Sequence, residues 1–258
     1  MTLADILSNY TYLYLLVFIR FVGLFILTPI FSSRVIPVRV RVGLAFLMAL
    51  ISIPLISSTP VLPVNEMGVF IEVLRELLVG LIIGFITLLT FAVVQLAGRF
   101  VDMRMGFAIV NVSDPIHGTT LPLMGQYKNI LATLLFLSIN GHHILIRAVQ
   151  DSFLIVPPGS IVLTNQALSL IIRKSSDLFL LAFKLALPII ATLFIVDLIL
   201  GFMARTMPQL HIFVVGLPIK IIFGLLVLFL SLGTVVHFSA QLFEDGFKTI
   251  YNLLRNLL

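Results

Sequence analysis

Two adjacent histidines, His142 and His143, are the first candidates for metal binding or proton transfer in this sequence. Side chains of neighbouring residues on a helix point about 100° apart, because an α-helix has about 3.6 residues per turn. The pair therefore cannot hold one metal ion in the way that histidines at positions i and i+4 do. The sequence contains no cysteine, which excludes thiolate ligands and disulfides. We expect both histidines to lie at the polar end of a helix.

Isolated charges within apolar segments are the second set of candidates, since ionisable groups inside membranes often carry protons. Glu76, Lys184 and Asp197 could form a proton path. However, no acidic pair recurs at positions i, i+3 or i, i+4 on an apolar face. The sequence also has no HExxH motif, no phosphate-binding glycine motif and no recognisable Ser-His-Asp arrangement. We therefore predict that the protein is not an enzyme and binds no cofactor, metal or small-molecule substrate.

The composition is that of a membrane protein. Of 258 residues, 60% are hydrophobic and only 10% are charged, and the mean hydropathy is +1.20. Soluble domains carry about 25% charged residues, so lipid or other apolar protein chains must cover most of this molecule. A soluble enzyme, a disordered chain and a secreted disulfide scaffold are excluded. The net charge is +5, but the basic residues are scattered singly, so nucleic-acid binding is not expected.

Apolar stretches dominate the chain, and each is expected to be helical because it is long and rich in Leu, Ile, Val and Phe. The first stretch follows no basic region and has no small-residue cleavage site, so we expect it to be retained and not removed as a signal peptide. The sequence thus predicts an all-α membrane protein with a single domain and about six helical stretches. These lie at about 6–33, 42–57, 69–98, 129–146, 178–203 and 210–243.

Charges interrupt several of these stretches. Lys184 and Asp197 leave roughly 18 Å of uncharged helix between them, whereas a bilayer core is about 30 Å thick. Arg20 and Lys220 lie within apolar runs in the same way. Either these side chains pair within the bundle or reach an interface, or the helices pack mostly against other protein subunits. Lys and Arg are almost evenly divided between alternate connections, so the positive-inside rule gives no orientation.

The connection at 99–128 is unusually long. Within it, residues 105–124 are too apolar for a solvated loop, yet Gly106, Pro115 and Gly118 break any continuous helix. Non-helical backbone at membrane depth is tolerated only where it is buried in protein or lines a cavity. We predict a re-entrant or pore-filling loop at 105–124. The alternative is a loop wedged between helices of its own bundle.

Two further patterns indicate helix packing. Gly80 and Gly84 are four residues apart, a small-xxx-small face that permits close approach of another helix. After Gln241, apolar residues recur at alternating steps of four and three, which indicates an amphipathic helix. This helix lies either on the lipid interface or against a partner subunit. Its apolar residues are Phe243, Phe247, Ile250, Leu254 and Leu257.

Three blocks along the chain together match a known pattern. The first block contains RELLVG from Arg75 to Gly80, Gly84-Phe85, QLAG from Gln95 to Gly98, Asp102, Gly106-Phe107 and DPIHG from Asp114 to Gly118. The second is Gly141-His142-His143 followed by Ser152-Phe153 and Pro157. The third is MARTMPQLHIFVVGLPIKI, from Met203 to Ile221. The series resembles the FliR family of bacterial flagellar biosynthesis proteins, which has counterparts in virulence type III secretion, over nearly the whole chain.

The resemblance implies a subunit of the type III export gate, built with the family's P and Q subunits and contacted by its B subunit. It implies a P-like portion at about 1–175, including the connection at 99–128. A Q-like helical hairpin with the amphipathic tail follows at 176–258. In the family the helices wind into a shared assembly held largely above the bilayer plane, which would explain the short, charge-interrupted apolar runs.

The resemblance also implies roles for individual residues. The family's R subunit contributes a plug loop that closes the central channel, and this loop is similar to the segment 105–124. The expected plug residues are Met105, Gly106, Phe107, Ile109, Val110, Val112, Ile116 and Gly118. The residues expected to support folding and assembly are Arg75, Glu76, Gly80, Gly84, Lys184, Asp197, Arg205, Pro208 and Lys220.

The leading hypothesis is a channel subunit in the bacterial inner membrane, within the flagellar basal body, through which unfolded flagellar proteins pass during export. An alternative is a small secondary transporter with broken helices, in which Lys184 and Asp197 would bind a solute. That reading predicts inverted internal repeats, and none is clear. A third reading, an intramembrane hydrolase that uses the histidines, lacks a nucleophile at a recognisable spacing.

Overall fold

The computed structural model describes residues 3–33, 35–56, 65–107, 122–207 and 212–257. Over these ranges the chain forms seven α-helices, one short 3-10 helix at Ile53–Leu55 and no β-strand. The predicted all-α membrane fold is confirmed. The α-helices are α1 (Leu3–Leu27), α2 (Val38–Ser52), α3 (Glu66–Met105), α4 (Leu123–Ser138), α5 (Gly141–Ile155), α6 (Asn165–Thr206) and α7 (Ile212–Arg255).

The fourth apolar stretch is divided between two helices, so the about six predicted stretches correspond to seven α-helices in the described ranges. Asn140 has φ 57° and ψ 30°, a left-handed conformation that cannot continue a right-handed helix. Asn adopts this conformation more readily than other non-glycine residues. As a result, α4 ends at Ser138, α5 begins at Gly141, and the two helices are bent by 64°.

Four helical segments are long and apolar enough to cross a membrane: Asn9–Leu27, Glu66–Met105, Asn165–Thr206 and Val214–Arg255. The bent pair of α4 and α5 is a fifth candidate within the described residues. Three of these helices are much longer than a bilayer requires, with 40 residues in α3, 42 in α6 and 44 in α7. At about 1.5 Å per residue each is about 60 Å long or longer, at least twice the bilayer core of about 30 Å.

The chain divides into two compact units. Unit 1 contains residues 1–90, 140–175 and 243–258, and unit 2 contains residues 91–139 and 176–242. The apolar core of unit 1 includes one face of α1 and the first half of α3. Buried residues on that face of α1 are Leu13, Leu16, Val17, Phe21 and Leu24.

Helices α1 and α3 approach closely in unit 1 at three glycines. A Cβ atom added to Gly80 would lie under 3.0 Å from the carbonyl oxygen of Arg20, and one added to Gly23 would lie 2.7 Å from the carbonyl oxygen of Leu77. A Cβ atom on Gly84 would lie 3.0 Å from the carbonyl oxygen of Leu24. Larger residues at Gly23 or Gly80 would push the two backbones apart, because the neighbouring atoms belong to the main chain.

The end of α7 packs inside unit 1, so both interpretations of the amphipathic tail are wrong. The Tyr251 hydroxyl donates a hydrogen bond of 2.8 Å to Asp151 Oδ2. The Val162 amide donates one of 3.0 Å to the carbonyl oxygen of Leu257. The tail is an amphipathic helix as predicted, but its apolar face packs within the same chain. The buried residues of this face are Phe243, Ile250, Leu253, Leu254 and Leu257.

Unit 2 has a smaller core and a large apolar surface. The rings of Phe91 and Phe136 lie 5.4 Å apart, and those of Phe100 and Phe183 lie 6.4 Å apart. Many large apolar side chains of α6 and α7 remain exposed, so lipid or another protein must cover this surface. Examples are Phe179, Phe194, Phe202, Phe229 and Leu230.

Candidate functional site

The segment between α3 and α4 is the candidate site, because the expected plug residues lie on it. The structure places 99–105 in α3 and 123–128 in α4, so the connection is shorter than 99–128. Helix α3 continues past Arg99 since nothing before Gly106 interrupts helical hydrogen bonding. Of the expected plug residues, Met105, Gly106 and Phe107 are described. The others, Ile109, Val110, Val112, Ile116 and Gly118, lie outside the described residues.

Asp102 joins the two flanks of this segment. Its Oδ1 accepts a hydrogen bond of 2.9 Å from the amide of Met124, and its Oδ2 accepts one of 3.0 Å from the amide of Gly125. The side chain of Pro122, which precedes α4, supplies no capping hydrogen bond. The first amides of a helix have no partner within it, and the helix dipole favours a negative charge there. A carboxylate on α3 therefore caps α4.

The backbones of α3 and α4 are in contact beside Asp102. A Cβ atom added to Gly98 would lie 2.7 Å from both the amide nitrogen of Gly125 and the carbonyl oxygen of Met124. Gly98 belongs to the QLAG part of the motif, and this contact supplies a physical reason for a glycine at that position. Any side chain there would separate the capping carboxylate from the helix that it caps.

Lys128 lies one turn further along α4 and is enclosed. Only 2% of Lys128 and 4% of Asp102 is exposed. The ammonium group is attracted electrostatically to Asp102, but its Nζ has no hydrogen-bond partner among the described residues. A buried charge is tolerated when an opposite charge compensates it. The carboxylate of Asp102 thus has two positive neighbours, the N-terminus of α4 and Lys128.

The other flank of the segment packs against α7. Met105 is the last residue of α3 and is fully buried, and its Cε would lie 2.8 Å from a Cβ atom added to Gly224. Gly106 has φ +87°, in the left-handed region that favours glycine and commonly ends helices. A Cβ atom there would lie 2.6 Å from Cδ1 of Leu217. Both flanks are therefore held by packing within unit 2.

Unit 1 contains a separate buried cluster of charges. Arg20 Nε lies 2.6 Å from Glu76 Oε2, and the two side chains are 0% and 1% exposed. The remaining guanidinium nitrogens donate to Ser152 Oγ at 2.8 Å and to the carbonyl oxygen of Val156 at 3.1 Å. The guanidinium carbon also lies 3.9 Å from the centre of the Phe153 ring. Arg20 thus pairs within the chain, which is one of the two alternatives that the sequence left open.

Arg75 and Glu76 connect α3 to the segment between α5 and α6. Both lie within α3, which begins at Glu66. Glu76 Oε1 accepts a hydrogen bond of 3.0 Å from the amide of Gly159, and Arg75 donates one of 3.1 Å to the carbonyl oxygen of Gly159. The two residues fix the connection between α5 and α6. No local pattern could have revealed these partners, which lie far apart in sequence.

The transporter hypothesis places Lys184 and Asp197 at one site, but the charged residues of α6 and α7 are paired differently in the structure. Asp197 Oδ1 lies 2.5 Å from Lys220 Nζ, and this ion pair joins α6 to α7. Lys184 is exposed, and no ion pair links it to another described residue. Arg205 is exposed in the last turn of α6, and Pro208 lies outside the described residues. Asp197 therefore pairs with Lys220 and not with Lys184 among the described residues.

His142 and His143 lie in the first turn of α5, with ring centres 4.1 Å apart. Their position at a helix end agrees with the sequence prediction. The described residues contain no group of three or more His, Cys, Asp or Glu side chains that could hold a metal ion.

Comparison with known proteins gives these features a family context. Residues 11–246 match the family model for bacterial export proteins, family 1. The chain is 38% identical to the flagellar biosynthetic protein FliR of Bacillus subtilis, over 93% of this chain and 94% of that protein. It is 34% identical to FliR of Pectobacterium carotovorum, over 93% and 92% of the two chains, and 32% identical to FliR of Escherichia coli, over 95% and 92%. The family match covers α3, the segment after it, α6 and most of α7, and the chain belongs to family 1 of the bacterial export proteins.

Proposed function

We propose that this chain is the R-type subunit of a flagellar type III export gate in the bacterial inner membrane, within the flagellar basal body. The observation that carries the proposal is the 38% identity to the Bacillus subtilis FliR protein over almost the full length of both chains. The several candidate membrane spans support a membrane location. In this role the chain has no enzymatic activity and helps to form the path of exported flagellar proteins.

The proposed neighbours are P-type and Q-type subunits, with a B-type subunit in contact. Helices of about 60 Å or more cannot be covered by a bilayer core of about 30 Å, so lipid alone leaves about half of each exposed. The large apolar side chains of α6 and α7 in unit 2 are exposed along much of both helices. Other apolar protein chains would cover the remainder, which supports assembly with partner subunits.

Complementation tests this role. A Bacillus subtilis strain that lacks its own FliR would receive this chain, and swimming and filament formation would be measured. We expect both to be restored in part or in full. Co-expression with the P-type and Q-type proteins of its own source should also give one complex after detergent extraction. A chain that purifies alone, stays monodisperse and never co-purifies with either protein would contradict the proposal.

Within the gate, we propose that residues 105–124 close the channel when no substrate is present. Support comes from the apolar character of Phe107, Ile109, Val110, Val112 and Ile116. An apolar constriction loses its water and so blocks ions. Many small dispersion contacts can also yield to an arriving polypeptide without breaking a strong bond.

A shortened loop tests the closure. Deleting residues 110–119 should leave the complex assembled but make the inner membrane permeable to small ions. Ion leak would be measured as loss of membrane potential in cells, and assembly as the amount of complex on native gels. An assembled complex with an unchanged membrane potential would show that the segment serves only in packing.

A further inference from the structure

Helices α1 and α2 of unit 1 border an apolar cleft with a volume of about 190 Å³. A water molecule takes up about 30 Å³ in the liquid, so the cleft has room for a larger group. Five of the six residues that line it are apolar, and Arg41 is the exception. The lining residues of this α1–α2 cleft are Val22, Phe25, Ile26, Val38, Arg41 and Val42.

A stripe of apolar side chains on α2 continues the cleft. Its members are four residues apart and so lie on one face of the helix, and at least 45% of each is exposed. The stripe is about 18 Å long, close to the depth of one leaflet in a bilayer core of about 30 Å. The Tyr14 hydroxyl donates a hydrogen bond of 3.1 Å to the carbonyl oxygen of Phe46, so α2 runs back along α1. The α2 stripe consists of Val38, Val42, Phe46 and Leu50.

Two arginines flank the start of the α2 stripe. Successive residues on a helix point about 100° apart, so Arg39 and Arg41 lie on opposite sides of the face that carries Val42. No ion pair links either arginine to another described residue. Arg41 Nη2 donates hydrogen bonds of 3.0 and 3.1 Å to two main-chain carbonyl oxygens, and its Nε has no partner among the described residues. Because carbonyl oxygens carry no net charge, both positive charges remain uncompensated.

The surroundings of the cleft favour an anionic lipid as its occupant. Residues 6–65 contain no Asp or Glu. The cleft lies at the end of the candidate membrane span Asn9–Leu27, where lipid headgroups are expected, and basic residues at that level attract anionic lipids. We infer that the α1–α2 cleft binds one anionic phospholipid, with an acyl chain along the α2 stripe and the phosphate between Arg39 and Arg41. This site goes beyond the proposed export role, since it involves only α1, α2 and lipid.

The test measures which lipids the full chain retains after extraction in mild detergent, together with any subunit that co-purifies. The probes are phosphatidylglycerol, which is anionic, and phosphatidylcholine, which has no net charge, supplied in equal amounts. Native mass spectrometry counts the retained molecules of each. A phosphatidylglycerol with a photoreactive group in one acyl chain locates the contact. We expect a preference for phosphatidylglycerol and cross-links to residues 22–26 and 38–50.

Arg39→Gln tests the contact with the phosphate, because Arg39 is exposed and its replacement leaves the hydrogen bonds of Arg41 in place. One basic residue near an anionic lipid surface contributes a factor of roughly five to binding. We therefore expect cross-linking at the cleft to fall roughly fivefold. Arg173→Gln is the matched control, since it removes an exposed arginine from α6 in unit 2 and should change nothing at the cleft.

Val42→Phe tests the contact with the acyl chain by filling the cleft from α2. We expect cross-linking of phosphatidylglycerol to fall several-fold. Val40→Phe is the control on the same helix, because Val40 is exposed on the opposite face and does not line the cleft. This variant should bind the lipid as the wild type does.

Several results would overturn the inference. Equal retention of the two lipids, or unchanged cross-linking in Arg39→Gln, would show that the arginines do not select an anionic headgroup. If inorganic phosphate displaces the lipid and Val42→Phe has no effect, the arginines bind a free anion. A folded chain without cross-links in α1 or α2 would show that another protein covers this face. If Arg39→Gln does not accumulate in membranes, the wild-type chain decides through its preference between the two lipids.

Discussion

Arg20 and Glu76 form an ion pair of 2.6 Å that is enclosed within unit 1, with 0% and 1% of the two side chains exposed. Removing charges from water is costly, and the pair is tolerated because its other hydrogen-bonding atoms also have partners. Arg20 donates to Ser152 and Val156, and Glu76 accepts from Gly159. The pair thereby links α1, α3 and the connection after α5.

Breaking this pair on one side should be more harmful than removing it entirely. Arg20→Met or Glu76→Leu alone leaves a buried charge without its partner, and we expect each to cost about 3–5 kcal/mol. The double variant should lose clearly less stability than the sum of the losses in the two single variants. Thermal stability of the purified complex would measure all three. Additive effects would show that the two side chains do not depend on each other.

The crossing of α1 and α3 should tolerate no side chain at Gly80. Gly80→Leu would place atoms inside the main chain of α1, so we expect the chain to be degraded or absent from the membrane. Gly43→Ala is the control, since nothing lies within 4 Å of a Cβ atom at that helical position. Replacing a helical glycine with alanine in open space usually stabilises by about 0.5–1 kcal/mol. Quantitative immunoblots of membrane fractions would compare the two, and equal amounts would contradict the close approach.

The ion pair between α6 and α7 should require opposite charges on the two helices, but either helix should be able to carry the positive one. Asp197→Lys should reduce the amount of assembled complex, and adding Lys220→Asp should restore part of it. Arg173→Leu removes an exposed cation of α6 outside the pair and is the control. Polar contacts between membrane helices average about 0.6 kcal/mol, so we expect a modest recovery. No recovery in the charge-swapped variant would mean that each residue serves a separate partner.

The end of α7 should contribute to stability as a core element does. Leu254 is fully buried, and Leu254→Ala should cost about 2–5 kcal/mol by leaving a cavity. The exposed Lys248 provides a control in the same helix, where Lys248→Ala should change stability little. Limited proteolysis of the complex would follow cleavage near residue 250. Equal protease resistance of the two variants would indicate that the tail is not packed as described.

Hydropathy was sufficient to predict the class of fold but not where helices end. The apolar run at 69–98 marks only part of α3, because helical hydrogen bonds continue through charged residues such as Arg99 and Arg104. The break at Asn140 was not predicted: the stretch at 129–146 was expected to be one helical stretch, and the return of the chain as α5 has no separate apolar signature.

Long-range partners could not be predicted because they depend on packing. Asp102 stood out only as part of a motif, and its role as a cap for α4 depends on the contact between Gly98 and Gly125. Likewise, the spacing of apolar residues after Gln241 indicated a buried face but contained no information about what covers it. The closing of the channel by residues 105–124 stays a prediction, and so do the assembly roles of all the residues named for them, including Lys184, Arg205 and Pro208.

Residues 243–257 belong to the same compact unit as α1 and the first half of α3, and this has a consequence for biosynthesis. Helices α1 and α3 leave the ribosome long before the last turns of α7, which complete their core. Chains are synthesised at about 5–20 residues per second, so the last segment of unit 1 is made tens of seconds or less after the first. During that interval the apolar surface that receives Leu253 and Leu254 is open to chaperones and proteases. A nascent chain that stops early therefore presents an incomplete core, which allows quality control to remove it before it can join an export complex.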